Sequence, residues 1–94
     1  MIDGEFIEYY ESGEIEFKIN YLGGKRNGEF IDYYKSGEIS SSRNYLDDNL
    51  HGELIYYYES GDISSKFYHI NGKSVTEFEW LSYNRNIKLE LLGL

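Results

Sequence analysis

The sequence predicts an all-β fold: an elongated, single-layer antiparallel meander of about eight strands, built from tandem 24-residue β-hairpin repeats. Three observations predict it. The segment GEFIEYYESGEI at 4–15 recurs as GEFIDYYKSGEI at 28–39 and as GELIYYYESGDI at 52–63, with eight of twelve positions the same in all three copies. Each copy opens on a run of aromatic and β-branched residues, and a second run follows in which apolar and polar residues alternate. Ser-Gly pairs and polar clusters separate these runs at short, regular intervals, as turns do. The chain 1–94 is therefore read as one repeat domain of units 4–27, 28–51 and 52–75, closed by a degenerate cap at 76–94.

In unit one the first strand covers Glu5 to Tyr10 and Ser12-Gly13 supplies the turn. In the second strand Ile15, Phe17, Ile19 and Tyr21 alternate with Glu14, Glu16, Lys18 and Asn20, the pattern of a half-buried strand. Gly13, Gly37 and Gly61 sit where a hairpin needs positive φ, as the left-handed residue that closes a type I turn with a bulge. That turn sets Tyr10 opposite Glu14, Tyr9 beside Ile15 and Ile7 beside Phe17, with Phe6, Glu8, Tyr10, Glu14 and Glu16 on the other face. A plain two-residue turn would instead align Tyr10 with Ile15, Phe6 with Ile19 and Glu8 with Phe17. Between units, Gly23-Gly24-Lys25-Arg26-Asn27 and Asp47-Asp48-Asn49-Leu50-His51 read as turns, so successive strands pair antiparallel. One more step of 24 gives TEFEWLSYNRNI at 76–87, which keeps Glu77, Phe78 and Ile87 and loses the glycines. Beyond it, Ile87, Leu89, Leu91 and Leu92 offer an apolar closing strand or a short helix.

Composition narrows the function classes. With neither cysteine nor proline, the chain has no disulfide or thiolate-metal framework, and stability rests on packing and sheet hydrogen bonds. Nine basic against 17 acidic residues give a net charge of −8, and Lys25-Arg26 is the one adjacent basic pair. Nucleic acid and anionic membrane surfaces, which are bound through clustered cations, are therefore not expected as partners. A basic protein is the expected partner, steered by the acidic field. No signal-like start or long apolar run is present, so the expected location is the cytoplasm, and the bias toward Ile, Asn, Lys, Tyr and Glu with no Ala or Gln points to an AT-rich bacterial genome.

The order of glycine, apolar strand, paired tyrosines, Ser-Gly turn, Ile-led second strand and a late tyrosine resembles the MORN-repeat variant of bacterial proteins, including YwqK-like antitoxins. Tyr9-Tyr10, Ser12-Gly13 and Tyr21, with Tyr33-Tyr34, Ser36-Gly37 and Tyr45 in unit two, carry the resemblance, which spans roughly residues 3–75. Unit three departs at His69, where a tyrosine is expected. The classical repeat with a Tyr-x-Gly-x-Trp core fits less well, since no Trp follows the tyrosine pairs, and its lipid binding is not carried over. The resemblance implies an extended hairpin array used for protein interaction, with an antitoxin or immunity role in some members. A structural scaffold or a fragment of a larger repeat protein, self-associating or membrane-proximal, is the alternative.

The residues offer little chemistry. His51 and His69 are the sole histidines, no G-x-S-x-G elbow occurs, and the opposed carboxylates Glu8 and Glu16 become Asp32 and Ser40, then Tyr56 and Ser64, in later units. His51 follows Asp47, Asp48 and Asn49 at a spacing too open for a metal loop. The expectation is a chain that is not an enzyme and uses no cofactor or metal. The tyrosine stripes carry the interest. Tyr9, Tyr33 and Tyr57 are expected to fill a thin core. Tyr10, Tyr34 and Tyr58 lie amid carboxylates, so the candidate partner-binding set is Glu8, Tyr10, Glu14, Asp32, Tyr34, Glu38, Tyr56, Tyr58 and Asp62, a surface for Arg and Lys. The first strand is also expected to present an open edge for strand addition or for a second copy.

Overall fold

Each hairpin closes on the turn its glycine permits. In the computed structural model, which describes residues 1–94, Gly13 N–H donates to the Tyr10 carbonyl at 2.9 Å and Tyr10 N–H donates to the Glu14 carbonyl at 2.8 Å. Gly13 has φ +105°, a backbone strained for any residue with a Cβ, so the type I turn with a glycine bulge forms as expected. The bonds recur at 2.9 and 2.8 Å around Gly37 and Gly61.

The strands are β1 (Gly4–Tyr9), β2 (Ile15–Leu22), β3 (Lys25–Tyr33), β4 (Ile39–Leu46), β5 (Asn49–Leu50), β6 (Gly52–Tyr57), β7 (Ile63–Ile70) and β8 (Lys73–Val75). They form one open antiparallel sheet in the order β1-β2-β3-β4-β6-β7-β8, with β5 beside β4. In unit three, β5 and β6 together hold the place of β3, interrupted at His51. The molecule measures 52 × 36 × 22 Å, and only Ile19, Ser41 and Gly52 are buried.

Register departs from the expectation beyond the turn. Tyr9 does pair with Ile15, but Glu8 then pairs with Phe17, Ile7 with Lys18 and Phe6 with Ile19, because Glu16 is extruded as a second bulge. Ser40 and Ser64 are extruded likewise in units two and three. Ile7 and Phe17 thus lie on opposite faces, and Phe6 joins Phe17 and Ile19. The shift sets Phe6, Phe30 and Leu54 opposite Ile19, Arg43 and Phe67 in the three units, and in unit one it gathers aromatic rings on one face. Phe6 meets Tyr21 edge-on at 5.5 Å between centroids, and Phe17 stacks on Phe30 at 5.3 Å. A register fixed by the turn alone would separate Phe6 from these partners.

In unit one the paired tyrosines exchange roles, while Tyr33 and Tyr57 of the stripe expected in the core are half-buried. The Tyr10 hydroxyl donates to the carbonyl of Tyr33 in the next unit at 2.6 Å, and the Tyr34 hydroxyl donates to that of Tyr57 at 2.5 Å. Tyr10 and Tyr34 therefore latch one unit to the next along the hairpin-turn edge, whereas Tyr9, expected in the core, is 57% exposed. Along the opposite edge each inter-unit turn grips the unit before it. Gly24 N–H donates to the Ile2 carbonyl at 3.0 Å, Asp48 N–H to that of Arg26 at 2.9 Å, and Gly72 N–H to that of Leu50 at 2.7 Å. Asp48 returns a second contact, its Oδ1 accepting from Arg26 N–H at 2.7 Å and from Nε at 3.1 Å.

The fourth unit is not a hairpin. Residues 77–91 form helix α1 (Glu77–Leu91), so the degenerate repeat and closing strand expected at 76–94 are replaced by the helical alternative. The cause is local: Thr76 accepts from Glu79 N–H at 3.1 Å while the Glu79 carboxylate accepts from Thr76 N–H at 3.1 Å, a reciprocal N-terminal cap. Trp80 then lies over Gly52, where an added Cβ would come within 3.7 Å of the indole, and meets His51 edge-on at 5.5 Å. No helix is long and apolar enough to cross a membrane.

Two outcomes are expected from these latches. Tyr34→Phe, which strips the donor from a satisfied carbonyl, lowers stability by about 1 kcal/mol, roughly 4–8 °C in Tm, while Tyr58→Phe, whose hydroxyl has no acceptor, changes it by much less; paired thermal melts decide. The backbone N–H of Arg26, and then its side chain, hold the Asp48 carboxyl below its ordinary value of 3.8. With the native pKa depressed, the stabilisation is complete above about pH 4 and is lost as pH falls through the native value. Asp48→Asn, which tolerates the left-handed backbone there, therefore melts below wild type at pH 7 and converges with it as pH falls through the depressed native value.

Candidate partner-binding surface

The aromatic face carries an open trough of about 600 Å³ that spans all three units. Unit one contributes Tyr10, Glu16 and Phe17; unit two contributes Phe30, Asp32, Tyr33, Tyr34, Ser40, Ser41 and Arg43; unit three contributes Tyr56. Strand pairing sets these side chains side by side: Phe17 opposite Asp32, Asp32 opposite Ser41, and Ser41 opposite Tyr56. The extruded Glu16 and Ser40 reach the same depression. The second bulge therefore builds the trough as well as the register.

At its floor lies an ion pair that only unit two possesses. Arg43 donates from Nη2 to Asp32 Oδ2 at 3.2 Å and to Ser41 Oγ at 3.0 Å, and Ser41 Oγ–H donates to the same Oδ2 at 2.6 Å. The guanidinium carbon sits 5.3 Å from the Phe30 ring centroid, and Arg43 Nε is buried with no partner. All the bonds to Asp32 fall on one oxygen, which leaves the other carboxylate oxygen free for a donor. With Glu16 and Asp32 against Arg43, the lining keeps one net negative charge. Tyrosine and phenylalanine rings beside unsatisfied carboxylate oxygens suit a guanidinium or ammonium group.

Of the nine residues proposed from sequence, Tyr10, Asp32, Tyr34 and Tyr56 meet in this trough. Glu8 pairs with Phe17 on the same face but on the outer strand β1. Glu14, Glu38 and Asp62 lie instead at the three hairpin turns, where their carbonyls close the bulges. The Glu14 carboxylate accepts from the Ser12 hydroxyl, which lowers its pKa, and Asp62 accepts from the Ser60 hydroxyl at 3.2 Å. Tyr58 stands apart at the unit-three turn, 56% exposed. Sequence reasoning missed Arg43, Ser41, Phe17 and Phe30. Arg43 carried a signal, since it stands where units one and three place Ile19 and Phe67, and a cation at an apolar position of a repeat asks for a partner.

The histidines are structural in this arrangement. His51 Nδ1 accepts from Asn71 N–H at 3.1 Å and its ring packs on Trp80 and Tyr83, while His69 pairs with Gly52. No three His, Asp or Glu side chains cluster as a metal site.

A family model described as MORN repeat variant matches residues 2–22, 26–47 and 50–71. The three segments cover most of the chain and keep the 24-residue interval. Neither the curated proteins nor the solved structures give a match.

The ion pair yields an asymmetric expectation. Asp32→Ala strands a half-buried guanidinium and costs about 1–2 kcal/mol, less than a fully buried pair because both side chains keep some solvent contact. Arg43→Leu, an apolar residue like those in the sister units, is expected to be neutral or stabilising. Urea denaturation of the two variants measures the difference.

Proposed function

We propose that this chain, which belongs to the MORN repeat variant family, is a non-catalytic protein-interaction module whose partner presents basic side chains. MORN repeats are generally modules for protein or membrane interaction, and the net charge of −8 favours a basic protein over an anionic bilayer. The observation that carries the reading is the trough: aromatic walls from three units around Glu16 and the free oxygen of Asp32. In its specific form, the proposal is a cytoplasmic antitoxin of immunity type that occludes a basic toxin.

Growth rescue of cells expressing the product of the neighbouring gene tests it, together with binding of that purified product. Glu16 is in no ion pair, so Glu16→Lys leaves the fold intact and is expected to weaken binding at least ~10-fold by setting like charges face to face. No rescue, or equal binding by the variant, removes the proposal. A second reading, a scaffold that self-associates through β1, is favoured by the exposure of Phe6 and Tyr9 on that strand. Light scattering at high concentration separates the two, because a strict monomer removes the second.

A further inference from the structure

The inter-unit interface repeats twice and stops incomplete. Unit one is covered by β3 and unit two by β5 and β6, but unit three only in part, by β8, which pairs with Tyr68, His69 and Ile70, and by α1, which also touches β7. In unit two Ser41 and Ser42 pair onward with Tyr56 and Ile55; their counterparts Ser65 and Lys66 have no strand beyond them. The chain turns into α1 at Thr76, and Trp80 packs back over His51 and Gly52, the latter paired with His69 at the end of β7 that β8 already covers. A slot about four residues long thus stays open along Ile63–Lys66, with Ile63 53% and Phe67 48% exposed. At its end the Tyr58 hydroxyl has no acceptor, whereas Tyr10 and Tyr34 each hold the carbonyl of the covering strand.

The unit one–unit two interface shows what fits. The covering strand there gives its Tyr33 carbonyl to Tyr10, and two residues later Lys35 places its ammonium 5.5 Å from the Tyr10 ring centroid. At the open slot Tyr58 is followed in the turn by Glu59 and Asp62, and neither carboxylate is in an ion pair. We infer that Ile63–Lys66 accepts an extended segment of the partner protein as an added antiparallel strand, with a backbone carbonyl bound by the Tyr58 hydroxyl and a Lys or Arg two residues later over the Tyr58 ring. This contact is separate from the trough. It rests on the proposed basic partner for the segment's charge, and on the repeat geometry for the slot.

A synthetic peptide copying residues 28–35 of this chain carries the required strand and terminal lysine, and serves as the probe. Titrated into the isotopically labelled chain, it is expected to shift and protect amides of Ile63–Phe67. Tyr58→Phe weakens it by about fivefold, the loss of one hydrogen bond. Glu59→Lys, which restores the residue unit two uses at that position, weakens it by a similar factor without disturbing the fold. Absence of shifts at millimolar peptide overturns the inference, as do shifts confined to β1 or the trough, or equal binding by both variants. Concentration-dependent shifts of the same amides without peptide assign the slot to a second copy and overturn it too. Glu16→Lys leaves peptide binding unchanged, so failure at the trough and failure at the slot read out separately.

Discussion

A sheet one layer thick has no interior, so its cohesion must come from contacts between neighbouring hairpins. Three buried residues cannot hold a chain of this length together. The hydroxyls of Tyr10 and Tyr34 reach across to the next unit on one edge, and the inter-unit turns reach back on the other. Between these two edges the aromatic rings of one face stack from strand to strand. Each unit is thereby coupled to its nearest neighbours alone, the one-dimensional cooperativity of repeat proteins. In the first two units the second tyrosine of the pair thus serves the interface, while the first ranges from exposed at Tyr9 to half-buried at Tyr33.

Against that scaffold, the places where units differ carry the individuality of the molecule. Ile19, Arg43 and Phe67 occupy one repeat position; Glu8, Asp32 and Tyr56 occupy another. Only in unit two do both substitutions create charge, and there they meet as an ion pair with Ser41 between them. An apolar pair would pack as well or better, since desolvating two charges offsets most of their attraction. Arg43 and Asp32 therefore add little that the fold needs, and their chemistry faces outward, into the trough.

The fold was legible because its strongest signals are local and periodic. Glycine at 13, 37 and 61 dictates the turn through its backbone alone, and the turn formed as its sequence requires. The second bulge was not legible, because no residue type forces Glu16 out of the ladder; it shows only in the cross-strand pairing, which sets Phe6 opposite Ile19, Phe30 opposite Arg43 and Leu54 opposite Phe67. For the same reason the roles of Tyr9 and Tyr10 were exchanged: the carbonyl that claims the Tyr10 hydroxyl lies 23 residues away. Helix α1 is the opposite case. Thr76 and Glu79 spell a capping box, but Glu77, Phe78 and Ile87 match the 24-residue frame, and the weaker long-range pattern hid the stronger local one. Within the candidate site, Tyr10, Asp32, Tyr34 and Tyr56 were legible as aromatic and acidic side chains, whereas their convergence with Arg43 depends on the bulged register.

The trough and the cohesion of the array are one physical system. Its walls come from Tyr10 in the first unit, Asp32, Tyr34 and Arg43 in the second and Tyr56 in the third, and two of those tyrosines are also the inter-unit latches. A group bound among them touches rings whose positions exist only while the units are docked, so its binding free energy adds to the docking free energy. The converse also holds: loosening either latch lowers the population in which the trough is complete and lowers apparent affinity in proportion. Nearest-neighbour coupling thus makes the middle unit the natural seat of recognition. It alone lies between two other hairpin units, and it alone carries a paired Asp and Arg at these two repeat positions.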